Sequence, residues 1–377
     1  MNSIFFSPRY PTLLVPLPGE LGEIKFENHY YFPRDERVSE ELKRRISLAK
    51  ENGRSPLYEE IRKRNINETG KLKVLLQRPG GIGDILFTTP IIKYLHEKGH
   101  TVDYFCHLYC WQILMYNPGI NKIYINQKTK AHDDPGALAR EEMKEFYPFL
   151  PEVLKPEILT EYDKVLSFSG VIEDNFKAEE LHATDACCEW VGIKKEDVAD
   201  KKPSLYIQDF EKEIVGNKLL KYKMVDPAKK TIALCPNSSA LVRSWPYAAE
   251  FIKEYKDKFN IIPIHFTSKW PGSQRHWDLR ESLTVASLCD AMIAADTGFL
   301  HVAGALDIPT IALFGPFNPA LRCRDYSKCK VICHTEEVCN FCFSHPDECR
   351  LLGLKSVSPP CMQQEPFEVY KALKEIL

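Results

Sequence analysis

Two stretches of the chain alternate short apolar runs with helix-like periodicity, and this alternation limits the fold more than any other feature. From residue 72, LKVLLQ, TVDYFC, KIYI and YDKVLSFSG read as strands. ILFTTPIIKYLHEKG, ALAREEMKEFYPFL and AEELHATDACCEWVG read as the helices between them. From about residue 230 the pattern repeats. TIALCP, NIIPIHFTS, AMIAAD and PTIALFG are strand-like, while PYAAEFIKEYKDK, SLTVASLCD and GFLHVAGAL are helix-like. Unbroken apolar strands suit sheets covered on both faces, and strand–helix alternation implies parallel, doubly wound pairing. The expected class is α/β, with two Rossmann-like halves.

At roughly 150 residues per domain, 377 residues leave room for more than these two halves. Residues 1–68 read as an appendage, with an opening rich in proline, a hairpin around Glu27-Asn28, and two short helices. The first half is expected over 69–226 and the second over 227–322, with KKPSLYIQDFEKE in the link. A Cys-rich segment spans 323–362, and a closing helix spans 363–377 with an apolar stripe at Phe367, Tyr370, Leu373 and Ile376.

Fifty Lys+Arg against 52 Asp+Glu give a net charge of −2, which argues against a basic nucleic-acid coat. No apolar run reaches the ~18 residues of a membrane span. The N-terminus lacks the basic-then-apolar order of a secretion signal, so the expected address is the cytoplasm. A peripheral membrane contact and oligomerisation stay open.

Three turns carry the candidate chemistry. Pro79-Gly80-Gly81-Ile82-Gly83-Asp84 joins a strand to a helix, where glycines allow close approach and the helix end offers N–H groups and a positive dipole. Its spacing is neither the dinucleotide fingerprint nor a Walker A loop. Asp84 either stabilises that dipole or acts as a general base. Asp296-Thr297-Gly298, followed by His301 one turn in, is a second strand-to-helix turn suited to an anion. Pro236-Asn237-Ser238-Ser239 leads to Arg243 ahead of Trp245-Pro246, and Arg243 is suited to pairing with a phosphate.

Together, VLLQRPGGIGDILFTTPIIKYL, PNSSALVRSWPYAAEFIKEY and AADTGFLHVAGALDIPTIALFGPFNPA resemble the heptosyltransferase family, glycosyltransferase family 9, across roughly residues 72–377. The resemblance implies a GT-B fold with two Rossmann-like domains facing a cleft. It also implies inverting transfer from a nucleotide-sugar donor, usually ADP-heptose, without a catalytic metal. By motif, Asp84 takes the place of the general base, beside the acceptor-side loop Gly80, Gly81 and Gly83. Asn237, Ser238, Arg243, Asp296, Thr297, Gly298 and His301 fall on the donor side. The acceptor would be a glycan, a lipopolysaccharide core or a protein. KWPGSQRHWDLRES departs from the family, which usually has a Gly-rich turn and a helix bearing a glutamate near the ribose.

Seven of the 13 cysteines crowd residues 323–361. Cys339, Cys342, Cys349 and Cys361 can supply four thiolates, with the C-x-x-C pair forming a corner for zinc or iron. Cys323, Cys329, Cys333, His334 and His345 are spare candidates. A similar C-terminal motif in autotransporter heptosyltransferases binds iron, and the resemblance implies a structural metal here. Three other readings remain: a non-catalytic nucleotide-binding scaffold of the same fold, a sugar-nucleotide epimerase, and a glycosyltransferase acting on nucleic acid.

Overall fold

The structure is a computed structural model. It describes residues 26–27, 30–31, 70–78, 80–107, 110–126, 162–168, 171, 180–238, 240–265, 268–273, 276–335, 341–342, 348–349, 354–355 and 359–377. The short helices expected within 1–68, and the one expected from ALAREEMKEFYPFL, lie outside these residues. Phe26–Glu27 pairs antiparallel with Tyr30–Tyr31, in keeping with the hairpin expected there.

The first sheet contains β1 (Lys73–Gln77), β2 (Thr101–His107), β3 (Lys122–Asn126) and β4 (Lys164–Ser167). Its order is β3-β2-β1-β4, parallel throughout. The second contains β5 (Thr231–Cys235), β6 (Asn260–Pro263), β7 (Ala291–Ala295), β8 (Thr310–Phe314) and β9 (Cys329–Cys333). Its order is β9-β8-β7-β5-β6, also parallel. In each sheet the chain winds outward from a first strand and then returns to that strand's other side. The reversals fall between β1 and β4, and between β5 and β7. Loops at the carboxyl ends beside such a reversal form the natural ligand crevice of an open α/β sheet.

The single helix expected after β1 is two helices, α1 (Ile82–Leu86) and α2 (Thr89–Glu97). Pro90 has no N–H to give to the Leu86 carbonyl, four residues back. The Thr89 hydroxyl donates to that carbonyl instead, at 2.7 Å. The remaining helices are α3 (Ala183–Trp190), α4 (Asp209–Lys221), α5 (Ala248–Tyr255), α6 (Leu279–Ser287), α7 (Gly298–Leu306) and α8 (Pro366–Ile376). In α8, Val369, Ala372 and Leu373 turn inward, while Phe367 is 69% exposed. The expected stripe holds at Leu373, with Tyr370 and Ile376 partly buried against the same core; it extends to Val369 and Ala372, and Phe367 alone of the four faces out.

Alternation along the second sheet separates two cores. Ile232, Leu234, Ile293, Ile311 and Leu313 face α5 and α8. Ala233, Met292, Ala294, Ala312 and Phe314 face α6 and α7, and their cluster continues through α1 into the first sheet. Arg280, at the start of α6, binds this junction together. Its guanidinium donates to both carboxylate oxygens of Glu211 in α4, each at 2.7 Å, and to the Gln112 carbonyl at 3.1 Å.

Candidate active site

The loop after β1 leads directly into α1. Gly80 has φ +127, which a side chain would strain. Gly81 N–H donates to Asp84 Oδ2 at 2.8 Å, closing the first turn back on itself. The other oxygen, Oδ1, accepts from Arg78 Nη2 at 2.7 Å. Arg78 is fully buried, and its Nη1 donates to the Phe168 carbonyl at the end of β4, at 2.7 Å. Arg78 thus bridges the two loops at this reversal and holds Oδ1, while the Gly81 N–H holds Oδ2. Burial pushes the Asp84 carboxyl upward. The Arg78 charge and hydrogen bond, the Gly81 N–H and the more distant Arg322 charge outweigh it and hold Asp84 below the usual carboxylate range. Asp84 is therefore an anion at neutral pH, and its side chain stays 28% exposed.

At the second reversal, Ser238 N–H donates to Ser244 Oγ, and Ser238 Oγ donates to the Asp296 carbonyl, each at 3.0 Å. This joins the loop after β5 to the loop after β7. Asn237 is exposed, and Ser239 lies outside the described residues. Arg243 Nη1 meets Asp296 Oδ2 at 3.0 Å, so its partner in this structure is a carboxylate. The Arg243 loop is braced from behind. Trp245 Nε1 donates to the Gln364 carbonyl at 2.8 Å, and Gln364 Nε2 donates to the carbonyls of Phe314 and Cys361, each at 2.9 Å.

Thr297 precedes α7 in extended backbone without a side-chain hydrogen bond to the helix, so α7 opens on first-turn N–H groups. His301 is buried one turn in. Its Nδ1 lies 2.8 Å from the Tyr326 hydroxyl, and its ring packs 4.4 Å from that of Phe87. Burial, reinforced by Arg322, lowers its pKa to about 4 against the pull of Asp296 and Asp84, so the imidazole is neutral at pH 7.

The two halves meet at these helices. A Cβ on Gly83 would come within 2.5 Å of His301 Cδ2, and one on Gly298 within 2.6 Å of Ile82 Cβ. Bare backbone therefore allows α1 and α7 to touch, which brings Asp84, Asp296, Arg243 and His301 into one region. The sequence reading did not pick out Arg78, Arg322, Tyr326 or His182, which also border it. His182 caps α3 and lies 3.6 Å from Asp325 across the junction.

The cysteine candidates are only partly described. Cys339 lies outside the described residues, and among these no group of three His, Cys, Asp or Glu is arranged for a metal. Cys361 Sγ would be 3.0 Å from a Cβ on Gly315, and Cys342 N–H donates to the Pro316 carbonyl at 3.0 Å. The Cys361 thiol and the Cys342 backbone thus border the turn after β8. Cys349 is buried in the two-residue strand Glu348–Cys349.

A profile of Glycosyltransferase family 9 (heptosyltransferase) matches residues 276–352. Lipopolysaccharide heptosyltransferase 1 of Pseudomonas aeruginosa is 33% identical over 95 residues, which is 23% of this chain and 26% of that protein. Lipopolysaccharide heptosyltransferase 2 of Salmonella typhimurium is 23% identical over 139 residues, 31% of this chain and 39% of the relative. The matches therefore span about a quarter to two fifths of these curated relatives. Among solved structures, E. coli ADP-heptose lipopolysaccharide heptosyltransferase II aligns with a TM-score of 0.57 at 16% identity, over 81% of this chain and 98% of that one. The family 9 glycosyl transferase of Veillonella parvula aligns at 0.58 and 14% identity, over 83% and 99%. TibC of enterotoxigenic E. coli, an iron-containing dodecameric glycosyltransferase, aligns at 0.50 and 11% identity, over 81% and 78%. The fold is that of the heptosyltransferase structures, with parallel sheets. Among the described residues no helix is long and apolar enough to cross a membrane.

Proposed function

We propose that the chain is an inverting glycosyltransferase that moves a sugar from a nucleoside diphosphate donor, ADP-heptose first among the choices, to an acceptor hydroxyl. The acceptor would be a glycan, a lipopolysaccharide core or a protein. The family 9 match at residues 276–352 and the two-sheet likeness to heptosyltransferase structures support the reaction class. One observation carries the mechanism. Asp84 is held as a carboxylate by Arg78 and Gly81 at the first reversal, on the helix that touches α7 at the second.

In this reading the donor diphosphate lies against α7 and its loop, near Thr297, Gly298, Arg243 and Ser238, with Asn237 at the rim. The acceptor hydroxyl enters beside Gly80, Gly81 and Gly83. Its oxygen attacks the anomeric carbon, its proton passes to Asp84, and the bond to the diphosphate breaks on the opposite face. Negative charge grows on the leaving group, so cations and N–H groups fixed there favour the transition state over the ground state. Neutral His301 is a polar partner in that region. Asp84→Asn should remove transfer while affinity for ADP stays within about threefold, because the variant loses the proton acceptor and keeps the shape. Transfer near the wild-type rate would overturn the assignment.

The four cysteines Cys339, Cys342, Cys349 and Cys361 are proposed to hold one structural iron or zinc ion. Thiolates are the donors that both metals accept, and Cys342 and Cys361 already approach a common turn. Elemental analysis of the purified chain should give about one metal per chain, and Cys349→Ser should lower that ratio. A cytoplasmic address and an assembly of several copies go with this reading. The dodecameric relative is the reason to measure mass in solution.

A further inference from the structure

His301 meets Tyr326 through one ring nitrogen and turns the other toward α1. Tyr326 lies between β8 and β9, where two turns join. Its N–H donates to the Cys323 carbonyl at 3.1 Å, and its carbonyl accepts from Cys329 N–H at 3.2 Å. Its ring packs on α7 at Gly304, where a Cβ would come within 2.6 Å of ring carbon Cδ2. Gly304 is three residues after His301, on the same face of that helix. The phenol therefore reaches back along α7, and its oxygen sits 2.8 Å from His301 Nδ1.

The protons around this pair allow one tautomer. Tyr326 is 6% exposed, and burial pushes its hydroxyl well above the usual phenol range, so it keeps its O–H at neutral pH. Among the described residues that O–H has one hydrogen-bond partner, His301 Nδ1. A buried phenol gives its proton to the acceptor it has. Nδ1 is then the bare nitrogen, and the neutral imidazole carries its hydrogen on Nε2. Nε2 lies 3.2 Å from where a Cβ on Gly83 would stand, so it opens toward the first turn of α1, one residue before Asp84. His301 is 4% exposed, and among the described residues its Nε2–H has no hydrogen-bond partner. The Asp84 oxygens are already held by Arg78 and Gly81. A donor buried this far is costly to leave unmet, and a ligand oxygen would meet it.

We propose that Tyr326 is a positioning residue that holds His301 as the Nε2–H tautomer, so that the ring gives a hydrogen bond to a diphosphate oxygen of the nucleotide sugar. The inference rests on the glycosyltransferase reading above and adds a residue to it. The opposite tautomer would turn a lone pair toward that oxygen, and so repel an anion at the helix end that otherwise offers it N–H groups. A charged imidazolium would also donate, but beside Asp84 it would lower the carboxylate's affinity for a proton. The neutral Nε2–H tautomer supplies an N–H and leaves Asp84 able to act as a base.

Nitrogen NMR of the full chain, isotope-labelled in histidine, tests this, with the His301 signals identified by their loss in His301→Gln. Wild type at neutral pH should show a protonated Nε2 and a bare Nδ1. Adding whichever of ADP, UDP and GDP it prefers should shift Nε2 more than Nδ1. Tyr326→Phe keeps the ring on Gly304 and removes the hydroxyl, so the Nδ1–H tautomer should rise to a comparable population. In calorimetric titration that variant should bind the preferred nucleotide, and inorganic pyrophosphate, about 3- to 10-fold more weakly, as expected for one neutral hydrogen bond. A wild-type proton on Nδ1 overturns the proposal, and so does an unchanged tautomer or an unchanged affinity in Tyr326→Phe. If Tyr326→Phe does not fold, wild type decides: a nucleotide that binds without moving Nε2 overturns the assignment and leaves the glycosyltransferase reading untouched. If wild type binds none of the four probes, the donor reading and this one fall together.

Discussion

Arg78 and Asp84 together set the pH at which the first reversal loses its negative charge. With the carboxyl held below its ordinary value of 3.8, Asp84 contributes stability that is present above that pH and lost as pH falls through the lower folded value. Arg78→Met removes the outweighing cation and leaves the burial, so the acid limb of kcat/KM should move up past 3.8. A limb that stays in place would mean another group sets the carboxyl's charge. The histidines act in the opposite sense. His301 and His182 are both lowered to about 4 from 6.5, chiefly by burial. Their stability is complete above about pH 6.5 and drains away between there and 4, where the unfolded chain takes up protons that the folded one refuses. Melting temperature should fall across that window, and less steeply in His301→Gln. At this scale the sequence revealed residues whose signal is local, such as Asp84 in its Gly turn and His301 after Asp-Thr-Gly. Arg78 was hidden because its second partner, the Phe168 carbonyl, is 90 residues away. Arg322 was hidden because nothing adjacent to it in the chain marks it as buried.

Among the elements, α1 and α7 need glycine where one helix meets the other, and α7 needs it again at Gly304, against the Tyr326 ring. Gly83→Ala and Gly298→Ala should each cost about 1–3 kcal/mol by overpacking, read as a lower urea midpoint. Gly81→Ala should cost less, since its Cβ would sit 3.7 Å from Asp84 Oδ2, an ordinary contact. Equal losses in all three would mean that the α1–α7 contact does not limit stability. Strand–helix alternation was legible because buried parallel strands leave unbroken apolar runs. The same signal failed at β9, where Lys330 and Val331 are exposed and Ile332 alone is buried, as an edge strand permits. It also failed at Thr88-Thr89-Pro90, where a hydroxyl replaced a backbone donor and periodicity continued through the break.

For the molecule as a whole, Arg280 is where the first half, the linking helix α4 and the second half are tied through a single side chain. Arg280→Met leaves the Glu211 carboxylate without its bidentate partner and should destabilise the fold by about 3–5 kcal/mol. Limited proteolysis should then cut between residues 200 and 209 faster than in wild type. An unchanged cleavage rate would place the tie elsewhere. How the halves join could not be read from the sequence, because Gln112, Glu211 and Arg280 are far apart in the chain and each resembles a surface residue on its own helix.

The brace behind Arg243 also bears on how the chain is made. Gln364, which receives Trp245 and reaches back to Phe314, is synthesised after every strand of both sheets. A nascent chain that has released all of its strands from the ribosome still lacks the piece that steadies the Arg243 loop. Its scaffold can form first, and the loop is steadied only when residues near 364 dock. Chains stalled just short of that point should fold yet bind nucleotide weakly, and the missing segment supplied as a separate peptide should restore binding.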